Sequence, residues 1–167
     1  NFVANNFSST LKGIRLGLHS ANFIHKVLGT ASMETFTQTF RDLSKNTLPK
    51  WTETMPKSTN IDMYFEQKVS DKKVVYFPSC ITRSMGLNSI SKEEKQLFTV
   101  TVELLQKAGY QILFPHNLSD LCCGMPFSSK GFKEAAQTKS SQLEEELLNI
   151  SEFGEYPILS DTSPCTK

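Results

Sequence analysis

"KKVVYFPSC", residues 72–80, places a run of β-branched and aromatic residues ahead of a proline and then a cysteine. Val74–Phe77 has the composition of a buried strand, and Pro78 ends it because proline brings no N–H to a ladder. Two shorter runs repeat the pattern. Ile112–Phe114 ("ILF") is stopped by Pro115, and Pro157–Leu159 ("PIL") reads as a third strand. Helical periodicity fills the two intervals. Ser91 with Glu94 forms a capping box that predicts a helix ending at Gly109, with Leu97, Val100 or Thr101, Leu104 and Ala108 on its inward face. A second helix is predicted from about Lys130 to Ile150, with Phe132, Ala136, Leu143, Leu147 and Ile150 inward. Strands alternating with helices predict an α/β fold, a short parallel sheet with crossover helices.

Upstream the signals are helical throughout. Phe7, Leu11, Ile14 and Leu18 form one stripe, and Phe23, Ile24, Val27 and Leu28 continue it to a stop at Gly29. Met33, Phe36, Phe40 and Leu43 form a second stripe that Pro49 closes. Lys12, Arg15 and Lys26 would suit a membrane surface, but packing of the stripes is the simpler account. Residues 52–72 mix Thr, Lys, Pro, Ser and Asp with little periodicity and read as a connector. The chain therefore divides into a helical segment at 1–60, a connector at 61–72 and the α/β domain at 73–167.

The composition narrows the function classes. A chain of 167 residues, 38% hydrophobic and 21% charged, fits an ordinary globular domain with a helical attachment. Its net charge of +1 gives no nucleic-acid surface and no acidic tail. No apolar run reaches the roughly 18 residues of a membrane span, and no signal-peptide pattern opens the chain. It begins at Asn1 rather than methionine, which suggests a piece of something longer. Four cysteines are too few for a secreted disulfide scaffold, so a reducing, cytoplasmic home is expected, where thiols serve metal or redox chemistry.

Those four cysteines carry the functional signal. Cys80 follows the first strand, Cys122 and Cys123 lie in the loop after the second, and Cys165 follows the third. Parallel strands point one way, so all three loops meet at one edge of the sheet, where α/β folds bind ligands. The spacing is symmetrical, with 41 residues between Cys80 and Cys122 and 41 between Cys123 and Cys165. A single free cysteine is most often a small buried hydrophobe. Loops at a sheet edge are poor places to hide four. A disulfide between neighbours is strained and is opposed by a reducing compartment. Metal remains, either zinc or an iron–sulfur cluster. Adjacent side chains diverge, which is awkward for one tetrahedral ion and natural for a cluster with several irons. Gly124 then lets the backbone turn or approach closely, and Pro126 stiffens the exit.

"YFPSC", "CCGMPF" at residues 122–127 and "SDTSPC" together resemble the cysteine-rich CCG domain. That domain occurs in heterodisulfide reductase, in the iron–sulfur subunits of glycolate oxidase and glycerol-3-phosphate dehydrogenase, and in lactate-utilisation proteins. The resemblance covers residues 73–167 and implies a [4Fe–4S] cluster on Cys80, Cys122, Cys123 and Cys165. Zinc is the alternative occupant. Cys165 supplies only the first half of the family's closing CxxC, whose second cysteine would fall at position 168. One CCG repeat is present where the family usually has two, and no ferredoxin-type C-x2-C-x2-C-x3-C-P run occurs. The resemblance implies an interior slice of a fused FAD- and iron–sulfur-containing D-lactate dehydrogenase, or of a glycolate oxidase subunit. FAD and ferredoxin-like modules would then lie in the rest of the parent, with a quinone or cytochrome as acceptor and at most peripheral contact with the inner membrane.

Other residues offer less. His116, six residues before Cys122, suits a ligand or a tuning group, although a loop histidine bonded to backbone is commoner. Arg83, three residues after Cys80, suits a carboxylate anchor or a counter-charge to a cluster. His19 and His25 read as surface or packing residues. Glu144–Glu146 reads as a solvated helix face. No phosphate-cradling glycine loop, GxSxG elbow or HExxH is present. A non-catalytic zinc-binding or subunit-docking module is the competing reading.

Overall fold

The computed structural model describes residues 2–45, 51, 52, 54–59, 61, 69–88 and 90–166. Three helices come first: α1 (Phe2–Asn5), α2 (Phe7–Leu28) and α3 (Thr30–Leu43). They are followed by β1 (Pro56–Ser58), β2 (Lys73–Phe77), β3 (Met85–Asn88), α4 (Leu97–Lys107) and β4 (Gln111–Leu113). The chain continues through α5 (Met125–Ser128), α6 (Lys133–Ile150), β5 (Ile158–Ser160) and a 3-10 turn at Ser163–Thr166. Mixed α/β structure with a small parallel sheet and a helical amino-terminal segment is the architecture that the alternation in the sequence predicts.

The three-stranded sheet runs in the order β4-β2-β5 and is parallel throughout. Val74 sits opposite Ile112, and Tyr76 opposite Leu159. The first strand in sequence is thus the central one, and both its faces are covered. Val74, Val75, Tyr76 and Phe77 are all at most 5% exposed. Each such burial contributes about 2 kcal/mol. Side chains alternate across the strand. Val74 and Tyr76 meet Phe98, Val102 and Ile112 on one face, and Phe77 meets Leu118, Leu121 and Leu143 on the other. Tyr76, Phe98 and Phe114 form an aromatic triangle with centroids 5.8–5.9 Å apart.

Several sequence expectations are corrected. The helix after β2 does not start at the Ser91 capping box. The Ser91 hydroxyl accepts the Glu93 N–H in a local turn, and α4 starts at Leu97. Its inward face is rotated by one residue, so Phe98 and Val102 are buried while Leu97, Val100 and Leu104 are 54%, 46% and 64% exposed. The larger aromatic Phe98 wins the core because it completes the Tyr76 stack. On α6 the predicted face is kept in part, with Leu143 buried and Ala136 and Leu147 packed against the core. Ala135 and Lys139 are buried as well, whereas Phe132 is exposed.

The stretch at 52–72 contains a strand as well as connector. β1 pairs antiparallel with β3, Pro56 opposite Asn88 and Ser58 opposite Met85. Neither "PKS" nor "MGLN" has strand composition, so this pairing is imposed by tertiary contact. Gly86 allows it, since a Cβ there would come within 3.1 Å of Thr59 Cβ.

Helix α2 ends as expected at Gly29, whose φ of +78° suits glycine and whose N–H bonds His25 O. His25 packs against Trp51 with ring centroids 5.5 Å apart, and its Nε2 meets Thr30 Oγ1 at 2.8 Å. Only part of the predicted helical stripes is buried. Phe7, Leu11 and Met33 are inside, but Phe23, Val27, Phe36, Phe40 and Leu43 are exposed. Pro49, expected to close the third helix, lies outside the described residues.

Candidate metal centre

The parallel sheet brings the carboxyl ends of β2, β4 and β5 to one edge, and all four cysteines lie in the loops beyond it. Each loop is built by its own hydrogen bonds. After β2, Ser79 O accepts the N–H of Arg83 at 3.0 Å, and Ser84 Oγ donates to Cys80 O at 2.6 Å, which closes a tight turn around Cys80. After β4, Asn117 takes a positive φ of +50° and the chain turns twice to deliver Cys122 and Cys123. Gly124 then takes φ +82° and leads into α5. A Cβ at Gly124 would stand 2.5 Å from Ala136 O, so only glycine lets this loop lie against α6. After β5, Cys165 N–H bonds Thr162 O within the closing 3-10 turn.

Two charged side chains stitch the loops together. Arg83 is buried and runs from the Cys80 turn to the Cys122 loop. Its Nη2 donates to Leu121 O at 2.7 Å, Nη1 donates to Leu118 O, and the guanidinium lies 5.7 Å from the Phe77 ring centroid. Asp161 joins the loop of Cys165 to that of Cys80. Its Oδ1 accepts Ser79 N–H at 3.0 Å, and its Oδ2 accepts the Tyr76 hydroxyl at 2.9 Å. A third contact anchors the site from below. Lys139 Nζ donates to Asp120 O, beside the cysteine pair, while lying 5.7 Å from the Phe7 ring centroid.

The helical segment takes part directly. Ala4, Phe7 and Leu11 share one apolar cluster with Cys122, Phe127 and Ala135, and Cys80 packs against it. Ser8 N–H also donates to Asp120 Oδ1. Cys122 is consequently buried, whereas Cys80, Cys123 and Cys165 are half-buried.

Neighbouring thiols perturb one another in series: Cys80 with Cys122, Cys122 with Cys123, and Cys123 with Cys165. Cys122 holds its proton, its pKa pushed up by the bonds to Cys123 and Cys80 and by burial. The Cys122 bond lowers Cys123 to about 5, helped by the Met125 backbone N–H. Cys80 is lowered to about 7, first by Cys122 and then by the positive charge of Arg83. Burial and the Cys123 neighbour raise Cys165 to about 12. Burial depresses Arg83, opposed chiefly by the neighbouring Cys80 thiolate and by the Asp161 carboxylate. All three loops thus offer sulfur, and a buried cation stands beside them.

The two remaining candidates fall differently. Arg83 joins the thiol loops. His116 is exposed and its backbone N–H donates to Glu146 Oε1 at 2.6 Å, with no hydrogen bond to a cysteine. Sequence reading passed over Asp161 and Lys139. Asp161 stands inside the quoted "SDTSPC" and was within reach of it. Lys139 resembles any helix-surface lysine until α6 is placed on the sheet.

A soft sulfur donor set drawn from three loops suits an iron–sulfur or zinc group. Among the described residues, no three His, Cys, Asp or Glu side chains form a group able to hold a single metal ion as they stand. The four thiols lie in three loops at one sheet edge, beside a countercharge. The fold and the site define a cysteine-rich α/β domain. The CCG cysteine-rich domain model matches residues 74–167, and the chain belongs to that family. No curated protein and no solved structure matches the chain.

Proposed function

We propose that the chain is an iron–sulfur electron-transfer domain of a flavin-dependent D-2-hydroxy-acid dehydrogenase acting on D-lactate or glycolate. The observation that carries the reading is the gathering of Cys80, Cys122, Cys123 and Cys165 in three loops at one edge of the parallel sheet, beside the buried Arg83. These four would hold a [4Fe–4S] cluster, which supplies one-electron storage when bound. Arg83 offsets the negative charge of several thiolates, Asp161 and Gly124 hold the loops in place, and the Phe7 and Leu11 side chains keep water from Cys122.

In this reading FAD lies in the rest of the parent enzyme and a ferredoxin-like module adjoins the helical segment. The exposed Phe23, Val27, Phe36 and Phe40 support such a neighbour. A quinone or cytochrome takes the electrons, in the cytoplasm or at the inner-membrane surface. No helix among the described residues is long and apolar enough to cross a membrane. The same exposed face supports a second reading, a docking module whose thiols hold zinc.

Anaerobic reconstitution with ferrous iron and sulfide tests the proposal. Broad visible absorbance with stoichiometric iron and sulfide is expected, and Cys122→Ser or Cys123→Ser should bleach it. A colourless protein that takes up stoichiometric zinc instead would favour the docking module.

A further inference from the structure

The outer side of α6 carries a groove of about 290 Å³, lined by Ser141, Glu144, Glu145, Leu148, Asn149 and Phe153. The helical positions among these share one face, opposite the buried Leu143. Leu148 and Phe153 are 43% and 81% exposed. The turn after α6 fixes the Phe153 ring in place. Phe153 N–H donates to Leu148 O at 2.8 Å, and Tyr156 N–H closes the turn on Ser151 O at 3.0 Å. Phe153 stands at φ +58°, in the left-handed region that costs a side-chain-bearing residue about 1–2 kcal/mol. A ring left mostly in water contributes little burial to offset that cost. A partner that covered the ring would offset it.

Charge selects the partner. Residues 140–166 hold Glu144, Glu145, Glu146, Glu152, Glu155 and Asp161 and no Lys, Arg or His, although the whole chain carries only +1. Three of these acids are engaged. Glu146 accepts the His116 N–H, Asp161 accepts the Ser79 N–H, and Glu152 accepts the Tyr156 hydroxyl, which Lys73 also reaches. Glu144 and Glu145, the two on the groove, have no hydrogen bond or ion pair among the described residues. Their sign repels nucleic acid, anionic lipid and phosphate ligands. A metal ion or small organic cation would neutralise the rim and leave the Phe153 ring in water. The groove also falls short of the roughly 300–1,000 Å³ of small-molecule sites. A protein segment with an apolar side chain flanked by lysine or arginine meets both features. Its apolar side chain covers Leu148 and Phe153, and its cations face the two glutamates.

We propose that the outer groove of α6 docks a cationic, amphipathic segment of a partner protein, with Phe153 as the apolar anchor and Glu144 and Glu145 as the charged rim. None of the four cysteines lines the groove, so the docking does not depend on the electron-transfer reading above.

The test uses the reduced chain and a fluorescein-labelled helical peptide of lysine and leucine, read by fluorescence anisotropy. Saturable binding of one peptide per chain is expected, and it should weaken as salt rises. Phe153→Asn should weaken it about tenfold through loss of the anchor. Asparagine enters the left-handed region more readily than phenylalanine, so this variant should melt no lower than the parent chain. Glu144→Lys with Glu145→Lys, both exposed on α6, should abolish binding of this peptide and create binding of its glutamate–leucine counterpart. An all-lysine peptide should bind more weakly than the lysine–leucine one. Absence of saturable binding, or equal binding by Phe153→Asn, overturns the proposal. Equal affinity of the unaltered chain for the all-lysine or the glutamate–leucine peptide overturns it as well. Self-association of the chain that Phe153→Asn abolishes would assign the face to a second copy and overturn the partner-protein assignment.

Discussion

The Asp161 carboxylate accepts the backbone N–H of Ser79 at 3.0 Å, which locks the loop of Cys165 to the loop of Cys80 across 82 residues of sequence. The same carboxylate receives the Tyr76 hydroxyl from the centre of the sheet. Two thiol-bearing loops are therefore positioned by the protein itself. Asp161→Ala should destabilise the chain by about 2 kcal/mol, because a buried hydroxyl and a backbone N–H both lose their acceptor. Urea unfolding measures this. Iron uptake should fall as well, whereas a variant with wild-type stability and loading would show that the loops hold without it.

Gly124 and Gly131 share φ +82°, but only Gly124 faces the carbonyl of Ala136. Gly131→Ala should cost about 1 kcal/mol, the penalty of a left-handed alanine. Gly124→Ala should cost at least twice that, since its new methyl must displace the α6 backbone. Paired denaturation curves decide it; equal losses would mean that α6 yields freely.

Phe7 ties the helical segment to the thiols through Phe127 and Lys139, with the Phe7 and Phe127 centroids 6.3 Å apart. Phe7→Ala should cost about 3 kcal/mol. It should also raise the alkylation rate of Cys122, which the Phe7 cluster now buries. Unchanged stability would show that Phe7 is not part of the wall of the site.

The pH dependence of thiol reactivity separates the four cysteines. Only thiolates alkylate. In the metal-free chain at pH 6, Cys123, lowered to about 5, is already a thiolate and should react first with iodoacetamide. Cys80, lowered to about 7, should join it as the pH rises through neutrality. Cys165, raised to about 12, should lag at pH 9. Cys122→Ala removes the donor that lowers Cys123, so the Cys123 rate should drop at pH 6 and change little at pH 9. Peptide mapping by mass spectrometry reads each site, and an unaltered pH 6 rate would refute the lowering of Cys123 by Cys122.

What the amino-acid sequence determined by itself is local or directional. Val74–Phe77 with Pro78 marks a buried strand whatever surrounds it, and three such runs separated by helices leave a parallel sheet as the economical solution. Parallel strands share a direction, so placing the cysteines after each strand was enough to bring them to one edge. Glycine at 29 and at 124 announced turns because only glycine takes those backbone angles without strain. Tertiary structure decided what depends on partners distant in the chain. Phe98 displaced Leu97 from the core because Tyr76 and Phe114 were waiting for a ring. β1 and β3 pair without strand composition, since the pairing energy comes from each other and not from their own residues. Asp161 and Lys139 became structural only when folding placed Ser79 and Asp120 opposite them. The burial of Cys122 against Phe7, while the other three cysteines stay half-buried, also follows from the fold. Spacing along a chain sets which loops meet, and packing sets which atoms touch.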